Sequence, residues 1–162
     1  DYIHARSLEY DSHQSRNLIK KFHSNIGWNI PENMRVCCEN MTAVHSIKYD
    51  NLKHFCFGFS VWEDDTCFSW DDTITWLQCL GIEPVPVLYR GPFKEITIRG
   101  IYEGLSKERE IEGYVVRLAD SFRYKEFRYS IAKYVRPNHV SEENHHWKFK
   151  KVVFNGFNKE VI

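Results

Sequence analysis

The sequence lacks the features that define several classes of protein. It has no apolar run of the length that a membrane-spanning helix needs, and no repeated or low-complexity segment. Neither sign of charge is in excess, because 22 lysines and arginines balance 22 aspartates and glutamates, which excludes a globally basic nucleic-acid binder. A hydrophobic fraction of 43% excludes a disordered chain. These absences leave a globular protein for which we expect no membrane partner.

A disulfide framework is not expected either. The cysteine count of five is odd, and no Cys-x-x-Cys spacing occurs. The cysteines lie in apolar or strand-like surroundings, which is typical of small buried hydrophobic residues. The composition therefore predicts free thiols in a reducing compartment, and we expect a cytoplasmic location.

The chain also lacks a methionine at its start. It opens on Asp1, its two methionines are Met34 and Met41, and no signal peptide is recognisable. A length of 162 residues is enough for one domain with its own hydrophobic core. We therefore expect residues 1–162 to form a single domain that is N-terminally truncated.

Strand and helix patterns alternate along the chain. Helices are expected over 18–26, 71–80 and 93–105, and extended segments over 2–6, 34–39, 55–61, 66–70, 84–89, 112–117 and 131–136. Asp71 or Asp72 should cap the second helix, and Gly81 should end it. This order predicts an α+β fold with largely antiparallel sheets and flanking helices.

The segment 55–61 has the clearest strand pattern. Bulky and small side chains alternate along it: Phe55, Phe57, Phe59 and Val61 against Cys56, Gly58 and Ser60. The alternation predicts one bulky, mainly aromatic face and one face of small residues. Such a small face admits either a neighbouring element or a flat ligand close to the backbone, and the pattern does not decide between them.

Charge is distributed unevenly. Every charged residue between 61 and 83 is acidic, whereas basic and aromatic residues are interleaved over 122–151. Basic side chains bind phosphates and aromatic rings stack on bases, so the second segment is typical of an RNA-binding surface; a solvated face of mixed charge is an equally good interpretation. His139, His145 and His146 have no cysteine at zinc-ligand spacing, which favours RNA contact or a surface loop over a metal site.

Some strand residues carry side chains suited to nucleotide chemistry. The Glu112 carboxylate can hold a hard cation, because Mg²⁺ prefers one or two carboxylates plus phosphate oxygens. Lys133 and Arg136 can neutralise a phosphate, and Phe59 offers a flat surface to a purine. Taken one at a time, these residues are weak indications, because an exposed strand glutamate is usually solvated and a strand lysine usually protects a sheet edge.

Taken in order, five segments resemble the RNA ligase family of covalent nucleotidyltransferases. The segments are 5–7 (ARS), 36–40 (VCCEN), 57–62 (FGFSVW), 112–117 (EGYVVR) and 133–136 (KYVR). EGYVVR is the strongest match, because it is similar to the nucleotidyl motif IV of that family. The resemblance implies a nucleotidyltransferase domain, that is, an ATP-grasp-like ligase adenylation domain.

The resemblance implies nucleotide-binding roles for four residues. Arg6 matches an arginine that contacts the nucleotide or the RNA phosphate, and Glu39 matches a glutamate that hydrogen-bonds the ribose of ATP. Phe59 matches the aromatic residue that stacks on adenine. Arg136 lies near the place of a second lysine of motif V, where this chain has Val135.

Two further residues receive catalytic roles from the resemblance. Glu112 matches the motif IV glutamate that is linked to the divalent metal, and Lys133 matches the motif V lysine on the α-phosphate. The resemblance therefore implies ATP and Mg²⁺ (or Mn²⁺) as cofactors and RNA ends as the substrate.

One motif of the family is missing. Family members attack ATP with the lysine of a Lys-x-Asp-Gly motif, but this sequence has none, and its first lysine is Lys20 on a predicted helix. The reaction implied by the resemblance joins RNA 5′-phosphate and 3′-hydroxyl ends through lysyl-AMP and RNA-adenylate. We therefore expect an RNA ligase domain that cannot adenylylate itself as given. The alternative is a non-catalytic nucleotide- or RNA-binding module of the same fold.

Overall fold

A computed structural model describes residues 2–5, 14–137 and 152–158 of the chain. Its helices are α1 (Asn17–Ile26), α2 (Trp70–Cys79), α3 (Glu95–Glu108) and the single-turn α4 (Phe127–Ser130). Its strands are β1 (Met34–Asn40), β2 (Cys56–Glu63), β3 (Thr66–Cys67), β4 (Glu83–Pro84), β5 (Gly113–Arg117), β6 (Phe122–Arg123) and β7 (Ile131–Val135).

The strands form two sheets. The larger sheet has the order β1-β2-β3-β6, with β4 paired in parallel with β2. The other pairs are antiparallel, including β5 with β7 in the smaller, two-stranded sheet. In the described residues, the predicted α+β fold with antiparallel sheets and flanking helices is confirmed.

The central strand β2 contains a bulge at Phe59. Successive residues of β1 pair with Ser60 and then with Gly58, so Phe59 has no partner on β1. A bulge of this kind interrupts the alternation of faces along a strand. Val61 consequently packs in the same buried cluster as Cys56, and the prediction that these two residues lie on opposite faces is wrong.

Gly58 of β2 faces helix α2. A Cβ atom placed on Gly58 would lie 2.3 Å from Cδ2 of Leu77 and 3.1 Å from Cγ2 of Ile82. Leu77 is fully buried, at 0% exposure, so the helix has little room to move away. Of the two possibilities left open by the sequence, a neighbouring element occupies this face.

The ends of α2 follow local capping chemistry. Ser69 is the N-cap, because its hydroxyl accepts a hydrogen bond from the backbone amide of Asp72 at 3.1 Å. The prediction that Asp71 or Asp72 caps the helix is therefore wrong; both lie in the first turn, where carboxylates suit the positive end of the helix dipole. Gly81 follows the helix with a φ of 67°, as predicted for a terminating glycine.

The N-terminal residues differ from expectation. Residues 2–5 are exposed and form no strand, so the prediction of a strand over 2–6 is wrong for these residues. Arg6, the predicted contact to the nucleotide or to RNA phosphate, lies outside the described residues.

The five cysteines are free thiols, as predicted. Cys56 and Cys67 are buried, but Cys79 is exposed at the end of α2, so burial was predicted wrongly there. Among the described helices, none combines the length and apolar character needed to cross a membrane.

Candidate active site

Part of the face of β1 and β2 that lies away from α2 is exposed to solvent. Because the Cβ direction of Gly58 points at α2, strand alternation places Phe57 on the other face, and the bulged residue Phe59 follows directly after Gly58. Glu39 pairs with Phe57 across the antiparallel ladder and shares that face. Glu39 is exposed and Phe59 is 41% exposed. Two predicted nucleotide-binding residues, a carboxylate and a flat ring, are thus exposed on neighbouring strands of this sheet.

Arg117, the last residue of β5, joins the smaller sheet to this surface. Its Nη1 donates to the carbonyl oxygen of Phe59 at 3.2 Å, and its Nη2 donates to that of Phe68 at 2.8 Å. Its guanidinium also lies over the rings of Trp70 and Phe122, at 5.5 and 5.6 Å from their centroids. A planar guanidinium can donate and stack at the same time. The sequence pattern predicts no role for Arg117, although the EGYVVR segment ends on it.

Lys133 lies on the same face of the smaller sheet as Arg117. It is opposite Val115, two residues before Arg117, so strand alternation places both basic side chains on one side. Lys133 is exposed, and within the described residues no hydrogen bond or ion pair involves its ammonium group. An exposed ammonium without a carboxylate partner is suited to bind a phosphate.

Arg136 is on the opposite side of the strand from Lys133. On that side Tyr102 of α3 packs against Tyr134, with ring centroids 5.2 Å apart. Arg136 forms an ion pair with Glu110 at 2.5 Å and, with Tyr102, lines a surface cavity of about 410 Å³. The predicted role of Arg136 as a substitute for a second motif V lysine stays a prediction, and the structure does not bring it beside Lys133.

Glu112 immediately precedes β5, next to the loop formed by residues 41–55. Its carbonyl oxygen accepts a hydrogen bond from the Arg136 amide at 2.9 Å, which extends the β5–β7 ladder. Its carboxylate accepts a hydrogen bond from the Ser46 hydroxyl. Tyr49 lies nearby: partial burial, reinforced by the negative charge of Glu112, raises the pKa of its phenol. The loop therefore brings two hydroxyl-bearing residues towards Glu112.

The donor atoms around Glu112 fit a divalent cation that is shared with phosphate. Within the described residues, no three His, Cys, Asp or Glu side chains form a group that could hold a metal ion alone. A cation at Glu112 would be held by this half-buried carboxylate together with phosphate oxygens and water. That is the ligand set Mg²⁺ prefers.

The described part of the basic and aromatic segment, residues 122–137, is largely exposed. Tyr124 and Tyr129, for example, are 64% and 85% exposed. Exposure agrees with an RNA-binding surface and with a solvated face alike, so both interpretations stay open. The three histidines of the segment lie outside the described residues.

Ser46 and Asn155 are not among the site residues that the sequence predicts. Ser46 contacts Glu112, and the buried Asn155 bonds the loop that carries Ser46. Neither residue belongs to the five short segments named from the sequence, and both are far from Glu112 along the chain. No local sequence signal identifies them.

Comparison with protein families gives one finding about this site. Residues 1–135 match the family model described as RNA ligase. The matched region contains Glu39, Phe59, Glu112 and Lys133, whereas Arg136 and Asn155 lie beyond it. Searches among curated proteins and among solved structures gave no match.

Proposed function

The chain belongs to the RNA ligase family, and on this basis we propose that it is an ATP-dependent RNA ligase domain with the nucleotidyltransferase fold. It joins RNA 5′-phosphate and 3′-hydroxyl ends. The observation that carries the proposal is the position of Phe59 and Lys133 on two sheets that Arg117 connects, because a stacking ring and a free ammonium are what a nucleotide requires.

The nucleoside binds on the open face of the larger sheet. The exposed ring of Phe59 stacks on adenine, and stacking of a base on an aromatic ring contributes about 1–3 kcal/mol. Glu39 shares this face and accepts hydrogen bonds from the ribose hydroxyls. The bulge supports this arrangement, since it frees Phe59 from pairing with β1.

The phosphates bind on the smaller sheet. Lys133 neutralises charge on the α-phosphate as the bond to its leaving group breaks. Glu112, oriented by the Ser46 hydroxyl, holds Mg²⁺ or Mn²⁺. When bound, the cation withdraws electron density from phosphate oxygens and offsets their negative charge.

The reaction follows in three steps. A lysine amine attacks the α-phosphorus of ATP, loses a proton and displaces pyrophosphate, which leaves AMP on the lysine. The oxygen of an RNA 5′-phosphate then displaces the lysine and takes AMP. Finally, an RNA 3′-hydroxyl attacks that 5′-phosphate and releases AMP. The 162 residues contain no Lys-x-Asp-Gly motif, so they supply binding and charge stabilisation and not the nucleophile of the first step.

The experiment that tests this function is incubation of the full-length protein with α-labelled ATP and Mg²⁺. A covalent protein–AMP adduct that is discharged by 5′-phosphorylated RNA supports the ligase. Saturable ATP binding without an adduct would instead identify the non-catalytic binding module. The 162-residue chain alone should remain unlabelled. Label on any of its lysines would refute the proposal that none of these lysines is the nucleophile of the first step.

A single substitution tests the metal role of Glu112. Glu112→Ala in the full-length protein should reduce sealing by about 100-fold or more, because charge at the phosphates is no longer offset. The circular dichroism spectrum should be unchanged, since Glu112 lies outside the core. Near-normal sealing by a folded variant would remove Glu112 from the mechanism.

A further inference from the structure

The segment 152–158 lies across the loop that carries Ser46, and Asn155 is its anchor. The side chain of Asn155 is buried, and its Nδ2 donates to the carbonyl oxygens of Met41 at 2.8 Å and Ala43 at 3.2 Å. Its Oδ1 accepts a hydrogen bond from the backbone amide of Tyr49 at 2.9 Å. One amide group thus holds both sides of the loop.

The backbone next to Asn155 adds to this attachment. Gly156 donates its amide to the carbonyl oxygen of Tyr49 at 2.7 Å and accepts from the amide of Leu52 at 2.9 Å. A Cβ atom at position 156 would lie 2.6 Å from the carbonyl oxygen of Asp50, so only glycine allows this close approach. The close packing of residues 152–158 against the loop formed by residues 41–55 therefore depends on glycine at position 156.

Ser46 lies between the two attachment points. Ala43 precedes it and Tyr49 follows it, so the bonds from Asn155 restrict the path of the residues between them. The Ser46 hydroxyl donates to Glu112, across a separation of 66 residues in the chain. A hydroxyl that donates to a carboxylate fixes the rotation of that carboxylate.

We propose that Asn155 is a positioning residue for the active site, acting on Glu112 through the loop and Ser46. The inference rests on the proposed function, because it assigns the oriented carboxylate to the cation and phosphates. It also extends the active site beyond residues 1–135, the region that matches the family model. Removing a residue that orients a metal ligand commonly lowers metal affinity or activity by about 10–100-fold.

The test uses the full-length protein and measures adduct formation with ATP over a range of Mg²⁺ concentrations. Asn155→Ala and Ser46→Ala should each raise the Mg²⁺ concentration needed for half-maximal adduct formation by about 10-fold or more. Ser46→Thr keeps the hydroxyl and should retain the original midpoint. The double variant should be no worse than Asn155→Ala alone, because both residues act through one contact.

Amide hydrogen exchange gives a readout that does not depend on activity. The Tyr49 amide should exchange faster in Asn155→Ala than in the parent protein, because its acceptor is gone. In Ser46→Ala its exchange should be unchanged. Leu80→Ala, which removes a buried side chain of the α2 core, is the control for general loss of stability: it should lower the melting temperature without moving the Mg²⁺ midpoint.

Each outcome separates this inference from the proposed function. A parent protein that forms no adduct overturns the proposed function and this inference with it. A normal adduct with an unchanged Mg²⁺ midpoint in Ser46→Ala, whose exposed side chain the fold does not need, overturns this inference alone. A shift that Leu80→Ala reproduces would also overturn it, since the effect would then follow stability.

Discussion

Arg117 donates a hydrogen bond to the main-chain oxygen of Phe59, 58 residues earlier in the chain and in the other sheet. Phe59 is also the bulged residue of β2, so its carbonyl group is not committed to β1. The guanidinium therefore holds the main chain at Phe59 and leaves the ring exposed. If the proposed site is correct, changes at Arg117 should affect nucleotide binding although the Phe59 side chain is unaltered.

Arg117→Lys should lower both stability and ATP affinity. Lysine keeps the charge but cannot donate to two carbonyl groups from one planar group, so at least one charged hydrogen bond is lost. We expect the free energy of unfolding to fall by about 1.5–3 kcal/mol, measured by urea denaturation, with weaker ATP binding by calorimetry. Arg99→Lys, in an exposed pair with Glu95 on α3, is the matched control and should change little. Equal effects at the two positions would contradict the connecting role.

Phe59→Leu should weaken ATP binding with little change in stability. Leucine is apolar but has no flat ring, so we expect a loss of about 1–3 kcal/mol in binding free energy. Phe127→Leu is a control of matched exposure, since the two rings are 41% and 42% exposed. Fluorescence titration with ATP distinguishes them. A loss of affinity at both positions would indicate a general effect of removing an aromatic ring.

Gly58→Ala should destabilise the fold. The added methyl group meets Leu77 and Ile82 in a packed core, and overpacking of this kind costs about 1–3 kcal/mol. Gly100→Ala on α3 is the matched control: nothing lies within 4 Å of its Cβ position, and alanine favours a helix by about 0.5–1 kcal/mol over glycine. Thermal melts should therefore shift in opposite directions. A stabilised Gly58→Ala protein would show that α2 can withdraw from β2.

Tyr49 should make stability depend on pH in the alkaline range. Burial, with the nearby Glu112 carboxylate, raises the pKa of Tyr49 above its ordinary value of 10.0. The unfolded state therefore ionises first, so the contribution of Tyr49 is complete below pH 10.0 and is lost as pH rises through the folded-state pKa. Tyr49→Phe removes this dependence. Denaturant unfolding between neutral pH and the alkaline range should show the parent protein losing stability relative to the variant, and parallel curves would contradict the placement of Tyr49.

Much of the local structure could be predicted from the sequence. The helical spacing of Leu18, Phe22 and Ile26 identified α1, and the alternation around Phe59 identified β2, because amphipathic periods reflect which face is buried. The resemblance of several short segments, in order, to a known family predicts that Glu112 and Lys133 belong to one site. In the structure, Glu112 immediately precedes β5 and Lys133 lies on β7, the strand that pairs with β5 in the smaller sheet.

The remaining features depend on contacts that local patterns do not encode. The bulge at Phe59 follows from the pairing of β2 with β1, and it reversed the expected side for Val61. Aspartate is a favourable N-cap residue, so the sequence predicts Asp71 or Asp72 as the cap of α2. Serine is equally suitable, and Ser69, which lies before both aspartates in the chain, is the cap in the structure. Asn155 bonds to Tyr49 over 106 residues of sequence, a distance at which periodicity gives no information.

The attachment of the loop by Asn155 has a consequence for the order in which the molecule is made. Its partners, Met41 and Tyr49, precede it by 114 and 106 residues, so both sheets are synthesised before this side chain leaves the ribosome. Contacts that close such long loops also form slowly, because the entropy of closure must be overcome first. The carboxylate of Glu112 thus acquires its final orientation late, when the rest of the proposed nucleotide-binding surface already exists.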